Sequence, residues 1–148
     1  MKRMFVLSFL LVISQMSKAQ DDRSSPSWVN EMMDNVSMDY VTCAAYYAHT
    51  ASAVLNAEDQ DTSDGFANLY ENVITLAFAA AKASRSEEMA LKVTMARLNI
   101  VMDDMQDEIE NNYSNLSLLY EKHHKRCDFI INNTEAFLEE WEDKSRPE

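Results

Sequence analysis

The chain has 148 residues, with 25 acidic against 13 basic side chains and a formal charge of −12. Phosphate recognition needs clustered Lys and Arg, so this acidity argues against nucleic-acid or anionic-lipid binding. The only basic cluster is Lys122-His-His-Lys-Arg126. A single glycine and two prolines, Pro26 and Pro147, exclude a turn-rich β architecture and favour long helices.

Met1–Ala19 reads as a signal peptide, with basic Lys2 and Arg3, an apolar stretch Met4–Ile13 and small Ser17 and Ala19 before a cleavage point. The apolar stretch is about half of the ~20 residues a membrane helix needs. The expected product is Gln20–Glu148, exported to a periplasmic or extracellular space, with no membrane span. Losing Lys2, Arg3 and Lys18 leaves ten basic against 25 acidic residues, a charge of −15. The bland reading of that charge is a solvated surface.

Apolar spacing predicts four helices in one domain. The first carries Val36, Tyr40, Cys43, Tyr47, Thr50 and Val54 on one stripe, starting near Ser25-Pro26 with the proline as first helical residue and ending near Ala57. Glu58–Gly65 reads as a loop. The second helix shows Phe66, Leu69 or Tyr70, Val73, Leu76 and Ala80. Ser84 and Glu87 have capping-box spacing and predict a break, although the Ala-rich run before them could continue straight through. The third stripe is Leu91, Met95, Leu98, Met102, Met105 and Ile109. The fourth is Leu116, Tyr120, His123, Cys127, Ile130, Thr134, Phe137 and Trp141. These two slip out of phase across Asn111–Asn115, which predicts a tight turn capped by Ser114 or Asn115, with one kinked helix as the alternative. The expected fold is all-α, a single-domain up-down four-helix bundle.

No complete catalytic set is legible. Glu121 and His124 have the Glu-x-x-His spacing of di-iron bundles, but the second copy and the partner carboxylates are missing. Asp59, Asp61 and Ser63 resemble the start of a calcium loop, yet Gly65 and Glu71 each fall late. Asp103, Asp104, Asp107, Glu108 and Glu110 read as the wet side of the third helix. No metal and no cofactor is expected. His123 lies one turn before Cys127, so a Cys–His nucleophilic pair would require a free thiol. A half-buried histidine bonded to a tyrosine is the simpler reading.

Two cysteines in an exported chain oxidise to one intramolecular bridge. Cys43 and Cys127 each lie on an apolar stripe near the middle of the first and last helices, whose midpoints meet in an up-down bundle. A Cys43–Cys127 disulfide is therefore expected. "CAAYY", followed by "NYSNLSLLYEKHHKRC" and a terminal "FLEEW", resembles a group of small exported bacterial helical proteins with one cysteine on the first helix and one on the last. That resemblance implies the architecture and no activity; the group favours glycines near the Asn111–Asn115 turn, which this chain lacks. The functional expectation is a binding or structural module working through contacts with a protein partner. The runner-up is a small-ligand carrier with a pocket lined by Tyr40, Tyr47 and His123, and an enzyme comes third. Sequons at Asn35, Asn112, Asn115 and Asn132 matter only in a eukaryotic secretory route.

Overall fold

The computed structural model describes residues 25–147, so the signal peptide expected at Met1–Ala19 lies outside the described residues. The described chain is all-helical: α1 (Ser27–Asn56), α2 (Gln60–Lys82), α3 (Glu87–Glu108), a short 3-10 turn (Tyr113–Asn115), α4 (Ser117–Asn132) and α5 (Thr134–Ser145). Among the described residues, no helix is long and apolar enough to cross a membrane.

Cross-helix contacts fix the topology. Ser37 Oγ donates to the Ala77 carbonyl and Ser63 Oγ to the Ala51 carbonyl, each at 3.0 Å, so α2 runs back along α1. α3 returns parallel to α1, with Asp34 near its start meeting Arg85 and Arg97 and His49 meeting the Met102 carbonyl. α4 and α5 then run antiparallel, through Tyr46 to His124, Cys43 to Cys127 and Tyr40 to Phe137. The result is the up-down bundle expected from the sequence, with its fourth member made of two helices.

α1 touches all four other helices and is the centre of the molecule. Cys43, Ala44, Ala45, Tyr46 and Tyr47 are buried in succession, so the middle of this helix has no wet face. A helix buried all round lies in a core rather than on a surface. Its start is shifted by one from expectation: Pro26 is the flanking residue, and its carbonyl accepts from Val29 and Asn30.

The structure corrects further expectations. Most of Glu58–Gly65 is helix, because Asp59 caps α2 by accepting from the Thr62 amide and Asp61 adds a carboxylate to the first turn. Ser63 is buried and donates to α1, so these residues cannot wrap a cation as a calcium loop does. The break before α3 is real, but its cap is Ser86, which accepts from Met89, rather than Ser84. α3 buries Ala90, Thr94, Leu98, Val101 and Met105, leaving Leu91 and Met95 exposed; Leu76 on α2 and Tyr120 on α4 are exposed as well.

The Asn111–Asn115 region is a true turn, with Glu110 and Asn111 both at φ 55°. Neither Ser114 nor Asn115 caps α4; Asn112 instead caps the 3-10 turn, and Asn115 Nδ2 donates to the Ile109 carbonyl. The last predicted helix breaks at Asn133, whose φ of −135° and ψ of 47° are not helical.

Candidate functional site

Cys43, Tyr40 and Tyr47 on α1 and His123 and Cys127 on the facing stretch of α4 are brought together. Cys43 and Cys127 are joined as a disulfide, with Cα atoms 5.4 Å apart and both residues buried. Among the described residues no cysteine is free, so there is no thiolate for His123 to activate.

Tyr40 and Tyr47 flank the bridge one turn to either side. Tyr40 meets Phe137 edge-on with ring centroids 5.4 Å apart, and Tyr47 stacks on Phe66 at 6.3 Å. They are only 3% and 5% exposed, so each ring is enclosed by other side chains. Burial pushes both phenols up, and Tyr47, beside Tyr46 and Asp128, reaches about 12. Neither is an acid or base near neutral pH.

His123 is half-buried against Tyr46, centroids 6.2 Å apart, and its Nε2 is buried with no hydrogen-bond partner. Burial first, then the neighbouring Lys122, lowers its pKa, with Glu108 opposing. The tyrosine bond expected for His123 belongs to its neighbour: Tyr46 Oη faces His124 Nδ1 at 3.5 Å, and His124 stacks on Tyr120 at 4.3 Å. Helical rotation sends adjacent residues to different sides, so the two histidines flank one tyrosine rather than sharing a site.

Sequence reasoning did not identify the polar hub around Arg126. Its Nη1 donates to Glu140 at 2.7 Å and its Nη2 to Asp39 at 2.9 Å, while Asp39 also accepts from Trp141 Nε1 at 3.0 Å. The guanidinium lies over the Phe137 and Phe129 rings. Burial alone would lower the Arg126 pKa, but the bonds to Glu140 and Asp39 win and raise it. Arg126, and to a lesser degree Lys144, hold the Glu140 carboxyl down at about 2. The hub ties α1, α4 and α5 together. The signal for it was a lone arginine on α4 facing acidic residues from distant segments, a pairing that needs the fold to become visible.

The mirror-image arrangement at the start of α1 is Asp34, which accepts from Arg97 through both oxygens at 2.9 and 2.8 Å and pairs with Arg85 at 2.6 Å. The Arg97 bond most strongly lowers the Asp34 pKa, against the opposing effect of burial. A shallow groove on α4 is lined by Glu121, Lys122, Lys125, Arg126 and Phe129. Its basic character is muted, because Lys122 pairs with Glu108 and Arg126 with Asp39 and Glu140.

Among the described residues, no group of three or more His, Cys, Asp or Glu side chains is placed to hold a metal ion. Comparison with protein-family models, curated proteins and solved structures finds no match.

Proposed function

We propose that the protein is an exported helical module that works through contacts with a protein partner in the periplasm or outside the cell, akin to the small bacterial proteins it resembles. The observation supporting this reading is the surface of α3. Leu91 and Met95 stand 53% and 42% exposed one turn apart, and Met89 and Ile100 are 50% and 60% exposed on the same helix. Leu91 and Met95 share a face, and Met102, two turns beyond Met95, is half-buried against the core. Single exposed apolar residues are ordinary, whereas the adjacent pair Leu91 and Met95 on one face suits a partner contact; Met89 and Ile100 lie on the other side of the helix and do not join it. The buried bridge suits an oxidising compartment.

The carrier alternative has a narrower footing, since Phe137 and Phe66 already cover Tyr40 and Tyr47. It rests on the unpartnered Nε2 of His123.

Crosslinking in the native compartment, followed by purification, tests the main reading. The wild-type chain should carry one defined partner, and Leu91→Glu with Met95→Glu should lose it at unchanged helicity. A double variant that keeps the same crosslinked species would contradict the assignment. A small molecule from the same extract that raises the melting temperature, and fails to do so for His123→Ala, would move the conclusion to the carrier.

A further inference from the structure

The outward side of α3 carries an apolar row of its own. Met89, Val93, Ala96 and Ile100 follow one another at steps of four, three and four, the spacing that keeps residues on one helix face. α3 buries Ala90, Thr94, Leu98, Val101 and Met105 on another side, so the row looks away from the core. Met89 and Ile100 are 50% and 60% exposed, Ala96 is exposed and Val93 is half-buried. From end to end the row runs about 16 Å, or three turns. Such a row is the seam by which one helix packs along another.

The chemistry changes sharply past Ile100. The same spacing continues onto Asp103 and Asp107, with Asp104 beside them, and all three are exposed. None of them joins an ion pair among the described residues. The two cations of α3 are already engaged, Lys92 with Glu88 and Arg97 with Asp34.

We propose that this row seats a basic amphipathic helix of a partner protein, which lays its apolar residues on Met89, Val93, Ala96 and Ile100 and its lysines or arginines on Asp103, Asp104 and Asp107.

The proposal rests on the reading of the protein as a partner-binding module, and it names the partner's chemistry on a face other than that of Leu91 and Met95. Charge selects the occupant. A second copy laid parallel would set each aspartate against itself. Laid antiparallel, it would bring Glu87 and Glu88 to the Asp103 and Asp104 end of its mate. The cations at that end, Lys82 and Arg85, are already held by Glu87 and Asp34. A basic helix meets no such conflict. Each exposed ion pair contributes little and is screened by salt, so charge decides which helix docks while the apolar row holds it.

Fluorescence anisotropy on the full, disulfide-bonded chain tests this with a synthetic helical peptide. The peptide carries a leucine row three turns long, with lysines beside the row and at both of its ends; lysine repulsion keeps it from pairing with itself. It should bind, weaken as salt is raised, and shift amide NMR signals at residues 89–107. A scrambled peptide of the same composition should bind at least ~10-fold more weakly, and so should the leucine peptide to Met89→Gln with Ile100→Gln. Asp103→Asn with Asp107→Asn should weaken binding by at least ~2-fold. Leu91→Gln with Met95→Gln should leave it unchanged, so that failure here is read separately from failure of the crosslinking test on that pair. Should the Met89 and Ile100 double variant lose helicity, Ile100→Gln alone must weaken binding. Equal binding of the scrambled peptide, or of a version with glutamate for lysine, would overturn the proposal. Shifts centred outside α3 would do the same. A dimer of the chain alone that Ile100→Gln dissolves would give the row to a second copy and overturn it as well.

Discussion

The lone glycine of this chain sits where nothing requires it. Gly65 lies inside α2, exposed, with a helical backbone and open space where a Cβ would be. Left-handed backbone instead falls on Glu58 at φ 63° and on Glu110 and Asn111 at φ 55°. Glycine costs roughly 1 kcal/mol relative to alanine inside a helix, and a side chain in the left-handed region costs roughly 1–2 kcal/mol. Gly65→Ala is therefore expected to stabilise by about 0.5–1 kcal/mol, and Glu58→Gly by up to about 1 kcal/mol. Urea denaturation checks both: a lowered midpoint for Gly65→Ala would mean that the α2 start is not helical. The expected turn glycine missing from Asn111–Asn115 has the same explanation, since Asn tolerates φ > 0 and the connection closes without it.

At the scale of elements, legibility followed the kind of residue that marks each boundary. α1 was readable because its bulky stripe is regular, although its full encirclement was not, since Ala44, Ala45 and Tyr46 lie off that stripe. The start of α2 was hidden because acidic and hydroxyl residues suit a loop and a helix N-terminus equally. The α3 phase was misread because small Ala90 and polar Thr94 are the buried residues, whereas larger Leu91 and Met95 drew the stripe one position away. The α4–α5 break was invisible because Cys127, Ile130 and Phe137 keep helical spacing across it. Such a break leaves α5 as twelve residues, too short to persist alone, so its helicity depends on docking.

Phe137 and the Arg126 hub supply that docking, which makes Arg126→Ala an informative variant. It removes the bonds that tie Asp39 and Glu140 to α4, leaving Asp39 on Trp141 and Glu140 on Lys144, takes the guanidinium off Phe137, and is expected to cost about 1–3 kcal/mol, seen first as lost protection in α5. The Glu140 link also predicts an acid response. Its folded pKa of about 2 lies below its unfolded value, so its contribution is present above the unfolded value and lost as pH falls toward 2. α5 should therefore stay docked at mildly acidic pH and loosen only in strong acid. Amide exchange in α5 checks this; loosening already at mildly acidic pH would contradict the hub assignment.

For the molecule as a whole, the decisive arrangement is α1 encased by four helices and stapled at its centre. The all-α class, the bundle topology and the Cys43–Cys127 pairing were legible because they follow from composition, stripe phase and a two-cysteine count. The exposed face of α3 and the polar hub were not, because both depend on which residues the tertiary packing leaves uncovered or brings together. The bridge closes a separation of 84 residues, for which the chain-entropy account gives about 4–5 kcal/mol before any strain. That is comparable with the whole stability of a domain this size, so reduction should lower the melting temperature sharply. The most direct test is peptide mapping without reductant on protein taken from its native compartment. The predicted result is one linked species joining the Cys43 and Cys127 peptides, with no alkylatable thiol. Two alkylatable thiols in folded protein would contradict both the stapled α1–α4 contact and the oxidising compartment proposed for this module.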